Sequence, residues 1–138
     1  SFVGTEALIK AGGADIEGVV ITQVVPPPSR TDLRTVKLYA ERIKKDGHNP
    51  GFVSLEGFVD AMVLVEGLKR ASDGGQTPTR EGLIDKLEGI KDFDMGLGPN
   101  LKLSYGPDDH KGFDRVYHTR IKNGQAAVFS DWKELARR

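Results

Sequence analysis

Apolar and polar positions follow three different rhythms along the chain. Phe2 and Val3 precede Gly4 and read as the end of a buried strand, after which Thr5 is placed to cap a short helix that Gly12 and Gly13 stop. Residues 18–25 (GVVITQVV) form a continuous β-branched run. That pattern suits a strand covered on both faces, as in a parallel sheet, better than one with a wet face. Pro26, Pro27 and Pro28 end it, because proline has no N–H for the ladder.

A 3.6-residue rhythm then takes over. Leu33, Val36, Ala40 and Ile43 make one stripe, which predicts a helix over 31–45 with Asp32 in its first turn and Gly47 closing it. Pro50 biases Asn49 away from helix, so HNPGFVS reads as an extended crossing. Ser54 is placed to cap a helix reaching residue 72, whose apolar residues, among them Leu55, Phe58, Val59, Met62 and Leu68, cover most of its circumference. Thr77 and Pro78 suit the cap and first position of another helix, with Leu83, Ile84, Leu87 and Ile90 inward. Beyond Gly89 the rhythm becomes alternating, with Leu101, Leu103 and Tyr105 on one side. Residues 114–129 then read as two strands joined by Asn123-Gly124, the strongest short hairpin signal. The fold class expected is α/β, with parallel-sheet strands, flanking helices and a terminal β-hairpin.

Composition narrows the functions available. The 138 residues fit one domain. Twenty basic residues balance twenty acidic ones, so no net field draws the chain to nucleic acid or to an anionic membrane. The absence of cysteine removes disulfides, thiol catalysis and cysteine zinc sites. The most apolar stretch, FVDAMVLVEGL, is interrupted by Asp60 and Glu66 and is too short to span a bilayer.

Catalytic patterns are sparse. His48, His110 and His118 share no metal-ligand spacing. Asp108, Asp109 and His110 have the chemistry of a metal or acid–base site, yet Gly, Pro and Asp are also what a solvated turn uses. Glu56 and Asp60 lie one helical turn apart, as a carboxylate pair or as the wet stripe of an apolar helix. No serine elbow, phosphate loop or dinucleotide fingerprint is present. These residues assign no catalytic group, metal or cofactor. Glu6 stands at a helix start beyond a strand end. Its carboxylate either favours the helix dipole by about 0.3–1 kcal/mol or receives a ligand ammonium group. Phe52 and Ser54, where the crossing feeds a buried helix, read either as a hinge or as an apolar plug and an N-cap.

Taken in order, SFVGTEAL, EGVVITQVVP, PGFVSLEGFVDAMVLVEGLKRA, TPTREGLIDKLEGI and YGPDDHKGFDRVYHTRIKNGQ resemble the C-terminal part of a type I periplasmic solute-binding protein. The group is the leucine/isoleucine/valine-binding family that serves branched-chain amino-acid ABC transporters. The resemblance runs through essentially the whole chain and rests on the ordered set of segments. It implies two α/β lobes joined by three crossings, closing on a ligand, with the first lobe and much of the second preceding this sequence. On that reading residues 1–49 belong to the second lobe, 50–54 to a crossing, 54–95 to helices of the first lobe, and 96–138 to the return and hairpin of the second lobe.

The resemblance also implies a periplasmic protein with a signal peptide at full length, an ABC-transporter permease as partner, and no enzymatic activity or cofactor. The ligand implied is an amino acid, branched-chain or other, or an aromatic acid. Glu6 is similar in position to the acid that holds the ligand's α-ammonium group, with Thr5 beside it. Phe52 is similar to the residue lining the ligand side chain, and Ser54 lies in the same crossing. The same fold serves ligand sensors, including amide-sensing regulators and receptor ectodomains. Because the helices of 54–89 present apolar faces without a sheet to cover them, the chain is expected to self-associate. Two rival readings remain: a small α/β hydrolase centred on Asp108, Asp109 and His110, and an interaction domain that docks through the helix of Leu55 and Leu68.

Overall fold

The computed structural model describes residues 4–75 and 77–133. Helix α1 (Thr5–Gly12) passes into a 3-10 turn (Gly13–Ile16) and strand β1 (Val20–Gln23). Helices α2 (Arg34–Lys45), α3 (Phe52–Ala71) and α4 (Arg80–Glu88) follow, then strands β2 (Tyr117–Lys122) and β3 (Gln125–Val128). Gly13 stops α1 at φ 52°, a left-handed conformation that glycine adopts without a side-chain clash. The strand end expected at Phe2 and Val3 lies outside the described residues.

The sheet has the order β1–β2–β3, and both pairings are antiparallel. Val20 faces Arg120 and Gln23 faces Tyr117, while Thr119 faces Val128 in the hairpin. The hairpin turn stands where Asn123-Gly124 predicts it, with φ of 53° and 69°, the pair of positive values a two-residue primed turn demands. The parallel, doubly covered setting expected for residues 18–25 is not found among the described residues. Only four of those residues form the strand, and Val19, Val20 and Val24 are 39%, 37% and 43% exposed. A β-branched run signals fitness for a pleated surface and carries no information on strand direction.

The helices exist where periodicity puts them, with displaced ends. Gly4, not Thr5, is the N-cap of α1; Thr5 is its first residue and is buried. Helix α2 begins at Arg34, so Asp32 lies outside it and pairs with Arg30 at 2.7 Å. The buried face of α2 is Thr35, Val36 and Tyr39, with Leu33 and Ile43 packed at its margin. Helix α3 begins at Phe52, so Ser54 sits inside its first turn and Gly51 is the cap position. Helix α4 is capped by Thr79, whose hydroxyl accepts from the Gly82 N–H at 3.0 Å, two residues later than the expected Thr77-Pro78 start.

The core gathers Val36 and Tyr39 of α2, Leu55 and Val59 of α3, and Ile90 beyond α4. Met95, Leu97, Leu101 and Leu103 close it from a stretch without regular structure, held by the Phe93–Leu103 bridge at 2.9 Å in both directions. At Gly67 of α3 an added Cβ would stand 2.5 Å from Leu87 Cδ2, so the glycine sets how closely α3 and α4 approach. The outward side of α3 carries Val53, Leu64, Val65 and Leu68, 37–55% exposed, and Ile84 of α4 is also exposed rather than inward. No helix of the described residues is long and apolar enough to cross a membrane.

Candidate ligand-binding site

The start of α1 is pinned from below by a buried polar network. Gln23 of β1 donates through Nε2 to the Thr5 hydroxyl at 2.6 Å and to the Thr119 hydroxyl at 3.3 Å, and Thr119 donates to the Ile21 carbonyl at 2.9 Å. All three side chains are nearly inaccessible to solvent. Inside a low-dielectric interior such a network holds its members firmly, because each unmade bond there is costly.

With α1 fixed, Glu6 projects toward the beginning of α3. Its Oε1 accepts the Phe52 N–H at 3.1 Å. A helix start leaves unpaired N–H groups and a positive end, and α3 has no side-chain cap of its own, so a carboxylate from α1 serves it. The approach is close: a Cβ at Gly51 would lie 3.1 Å from Glu6 Oε1, so the carboxylate would have to give by a few tenths of an ångström. Tyr39 of α2 grips the same joint. Its hydroxyl accepts the Gly51 N–H at 2.8 Å and lies 3.1 Å from the Gly51 carbonyl and 2.6 Å from Ser54 Oγ. Three helices therefore converge on one peptide unit.

Above this joint opens a cavity of about 630 Å³, within the usual range for small-molecule sites. From α1 come Thr5, Glu6, Ile9 and Lys10; from the turn after β1 come Pro27, Pro28 and Ser29; Pro50 and Phe52 close one wall, and the hairpin turn at Gln125 another. Thr5, Glu6 and Phe52 are thus brought together. Ser54 is not among the lining residues, and its hydroxyl is committed to Tyr39. The cavity can offer a carboxylate, an ammonium group and an apolar wall to one small molecule.

The other candidates lie elsewhere. Glu56 and Asp60 face a second cavity, of about 540 Å³, across which stand Lys111 and Arg115. Burial and the charge of Asp60 raise the pKa of the Tyr105 phenol on its wall. The Asp108–His110 turn does not gather its side chains: Asp109 accepts the Lys111 N–H at 2.9 Å, while His110 Nε2 turns to Glu88 Oε1 at 2.9 Å. His118 packs in β2 against Trp132, ring centroids 4.9 Å apart. Among the described residues no group of three His, Asp or Glu side chains could hold a metal ion.

Lys10, Gln23, Tyr39 and Thr119 were not singled out by pattern. Two of them carry a legible signal. Lys10 follows Glu6 by four residues and so shares its helix face, and Gln23 interrupts an apolar run with a group that must find a partner if buried.

Among families of known proteins, one described as periplasmic binding protein matches residues 1–126. A possible leucine/isoleucine/valine-binding protein from Rhodopirellula baltica SH 1 is similar in structure, with TM-score 0.86 and 34% identity over 98% of this chain and 35% of its own. A fatty acid ABC transporter substrate-binding protein from Thermomonospora curvata is similar at TM-score 0.64 and 28% identity, over 93% of this chain and 33% of its own. A branched chain amino acid ABC transporter from Thermus thermophilus, with bound valine, shares the fold at TM-score 0.77 and 18% identity, over 94% and 36%. No curated protein matches the chain. The chain spans about a third of the length of these three structures.

Proposed function

Because the chain belongs to the periplasmic binding protein family and has the type I fold of its relatives, we propose that it contributes the Glu6 side of a ligand cleft to an extracytoplasmic solute-binding protein. The protein captures a small molecule between two lobes and delivers it to the permease of an ABC importer, performing no chemistry. Residues 1–49 and 96–138 form the part of one lobe, 54–95 the part of the other, and 50–54 the crossing between them. The observation that carries this reading is the meeting of the Glu6 carboxylate and Phe52 in one open cavity at the start of α3.

The chemistry follows from the wall. Glu6 receives a ligand ammonium group, a charge-assisted bond that strengthens as lobe closure expels water. Phe52, Ile9 and the prolines receive an apolar body. Closure about the crossing is a hinge motion, and the Glu6–Phe52 bond sits at that hinge. Relatives differ in cargo: one is a fatty acid transporter component and another was solved with valine. An amino acid is favoured for this chain because its cavity wall offers an acid to an amine.

Isothermal titration calorimetry of the complete protein against amino acids and small aromatic acids, with and without Glu6→Gln, tests the proposal. Saturable binding of an amine-bearing ligand, weakened at least about tenfold by the substitution, is the expected result. Binding of an amine-free acid that ignores the substitution would return Glu6 to capping α3 alone. Binding of nothing in the panel would remove the importer reading and favour a sensor of the same fold.

A further inference from the structure

The Tyr39 hydroxyl is a buried group spent on one short stretch of backbone. The residue is 2% exposed, and its ring packs on Phe58 of α3 with centroids 5.6 Å apart. A phenylalanine ring would fill that space as well, so packing does not account for the hydroxyl. The oxygen accepts the Gly51 N–H at 2.8 Å, lies 3.1 Å from the Gly51 carbonyl oxygen and 2.6 Å from Ser54 Oγ, and Ser54 Oγ lies 3.3 Å from the same carbonyl. The two hydroxyl protons fit in either of two ways. Tyr39 donates to Ser54 and Ser54 to the carbonyl, or Ser54 donates to Tyr39 and Tyr39 to the carbonyl. In both, the N–H and the C=O of Gly51 are held.

That carbonyl and the Phe52 N–H belong to one planar peptide unit, with the oxygen and the hydrogen on opposite edges. A plane gripped at its oxygen keeps its N–H in one direction. The direction here is toward Glu6, whose Oε1 accepts at 3.1 Å. Gly51 has no side chain to restrict rotation into this plane. The angle is therefore set by the partners of its carbonyl, which are the two hydroxyls and the Leu55 N–H at 3.0 Å. Among the described residues the Phe52 N–H is the one hydrogen-bond partner of Glu6, and Glu6 stands in no ion pair. The carboxylate on the cavity wall is thus oriented by a peptide that Tyr39 orients from outside the cavity, since Tyr39 is not among the lining residues.

We infer that Tyr39 is a positioning residue of the ligand site: through the Gly51–Phe52 peptide its hydroxyl sets the direction of the Glu6 carboxylate and the placing of Phe52 on the cavity wall. The inference rests on the cavity being the ligand site, as proposed above, and requires no particular ligand. With Oε1 held by the peptide, Oε2 is the oxygen presented to the cavity. A phenol that served only to cap α3 would change the unfolding midpoint and the exchange of the Gly51 amide, and nothing beyond them.

Two measurements on the complete protein test the relay. The first is amide hydrogen exchange, resolved by residue with NMR, in the unliganded native protein and in Tyr39→Phe, which keeps the buried ring. The Gly51 amide loses its acceptor in the variant. The Phe52 amide keeps its acceptor, so it exchanges faster only if the plane has been freed; a rise of about tenfold relative to the core amide of Ile121 is expected. The second is calorimetry with leucine, phenylalanine and benzoate. Tyr39→Phe is expected to weaken the probes that the native protein binds by about fivefold or more, and Ser54→Ala, which leaves the core intact and carries the same two readouts, by about two- to threefold. Unchanged Phe52 exchange relative to Ile121, or affinities within about twofold of native in Tyr39→Phe, overturns the inference. If Glu6→Gln still weakens binding in that case, the ligand site stands without Tyr39. If the native protein binds none of the three probes, the ligand-site reading fails and this inference falls with it.

Discussion

Thr5→Val removes one hydroxyl from a buried network and changes almost nothing in shape. In the native chain Gln23 Nε2 spends its two N–H groups on Thr5 at 2.6 Å and Thr119 at 3.3 Å. The first bond is short and well formed, and the second is at the long end of the normal range. Without the Thr5 oxygen the amide keeps only the weaker partner, and at 2% exposure neither residue can recruit water. Leaving a buried donor unpaired costs about 1–3 kcal/mol. For a domain of this size that lowers the unfolding midpoint by roughly 3–12 °C. Adding Gln23→Leu to Thr5→Val removes the orphaned donor as well, so the double variant is expected to recover much of the loss. Urea denaturation followed by circular dichroism on the four proteins of this cycle reads the coupling directly. A Thr5→Val protein within about 0.5 kcal/mol of native, or a double variant no better than the single one, would refute the claim that this network anchors α1. A loss of ligand affinity larger than the loss of stability would show that the Thr5 hydroxyl also meets the ligand.

Glu6→Gln keeps an oxygen for the Phe52 N–H and loses only the charge at the start of α3. It is expected to cost about 0.3–1 kcal/mol, against about 0.5–2 kcal/mol for Glu6→Ala, both read by urea unfolding. Gly67→Ala drives a Cβ to within 2.5 Å of Leu87 Cδ2 and is expected to destabilise by about 1–3 kcal/mol, with partial relief from a smaller residue at 87. Burial raises the phenol pKa values of Tyr105 and Tyr117, so the folded state favours the neutral rings. Their contribution to stability is intact below the ordinary tyrosine value near 10 and is lost as pH rises through the elevated ones, a slope that Tyr105→Phe and Tyr117→Phe are expected to flatten. The Arg30 hydrogen bond lowers the pKa of Asp32 and the Gly96 N–H lowers that of Asp94, so their stabilisation is present above the ordinary aspartate range and disappears as pH falls through the lowered values. The 138-residue chain by itself is expected to associate through the exposed apolar face of α3, with sedimentation showing a concentration-dependent mass that Leu64→Asp or Val65→Asp reduces.

The features legible in the sequence are those whose causes are local. Asn123-Gly124 demands positive φ at two adjacent residues, and no distant contact is needed to enforce that. The repeat of apolar residues gave α2, α3 and α4 their existence for the same reason. Their ends were less legible because tertiary contacts decide them. Ser54 has the chemistry of an N-cap, yet α3 starts three residues earlier, with Gly51 at the cap position, because Tyr39 and Glu6 satisfy the groups at Gly51 and Phe52. The direction of β1 was hidden, since its partner residues lie about a hundred positions away. Loop residues Met95 and Leu97 supply core with no rhythm read for them, while the alternation of Leu101 and Leu103 marked a buried side without the regular strand it implied. Glu6 and Phe52 could be placed in one site only through the resemblance of whole segments, because residue spacing says nothing of how α1 meets α3.

The pairing of Val20 with Arg120 has a consequence in time. During synthesis at about 5–20 residues per second, β1 leaves the ribosome some 5–20 seconds before β2 exists to receive it. Throughout that interval α2, α3 and α4 can assemble from neighbouring sequence, while the valine-rich segment around β1 waits with an open edge, a template for pairing with other chains. The three prolines that follow it, and Gln23 within it, act then as guards of a nascent polypeptide, breaking a stretch that would otherwise recruit its neighbours before its own partner is made.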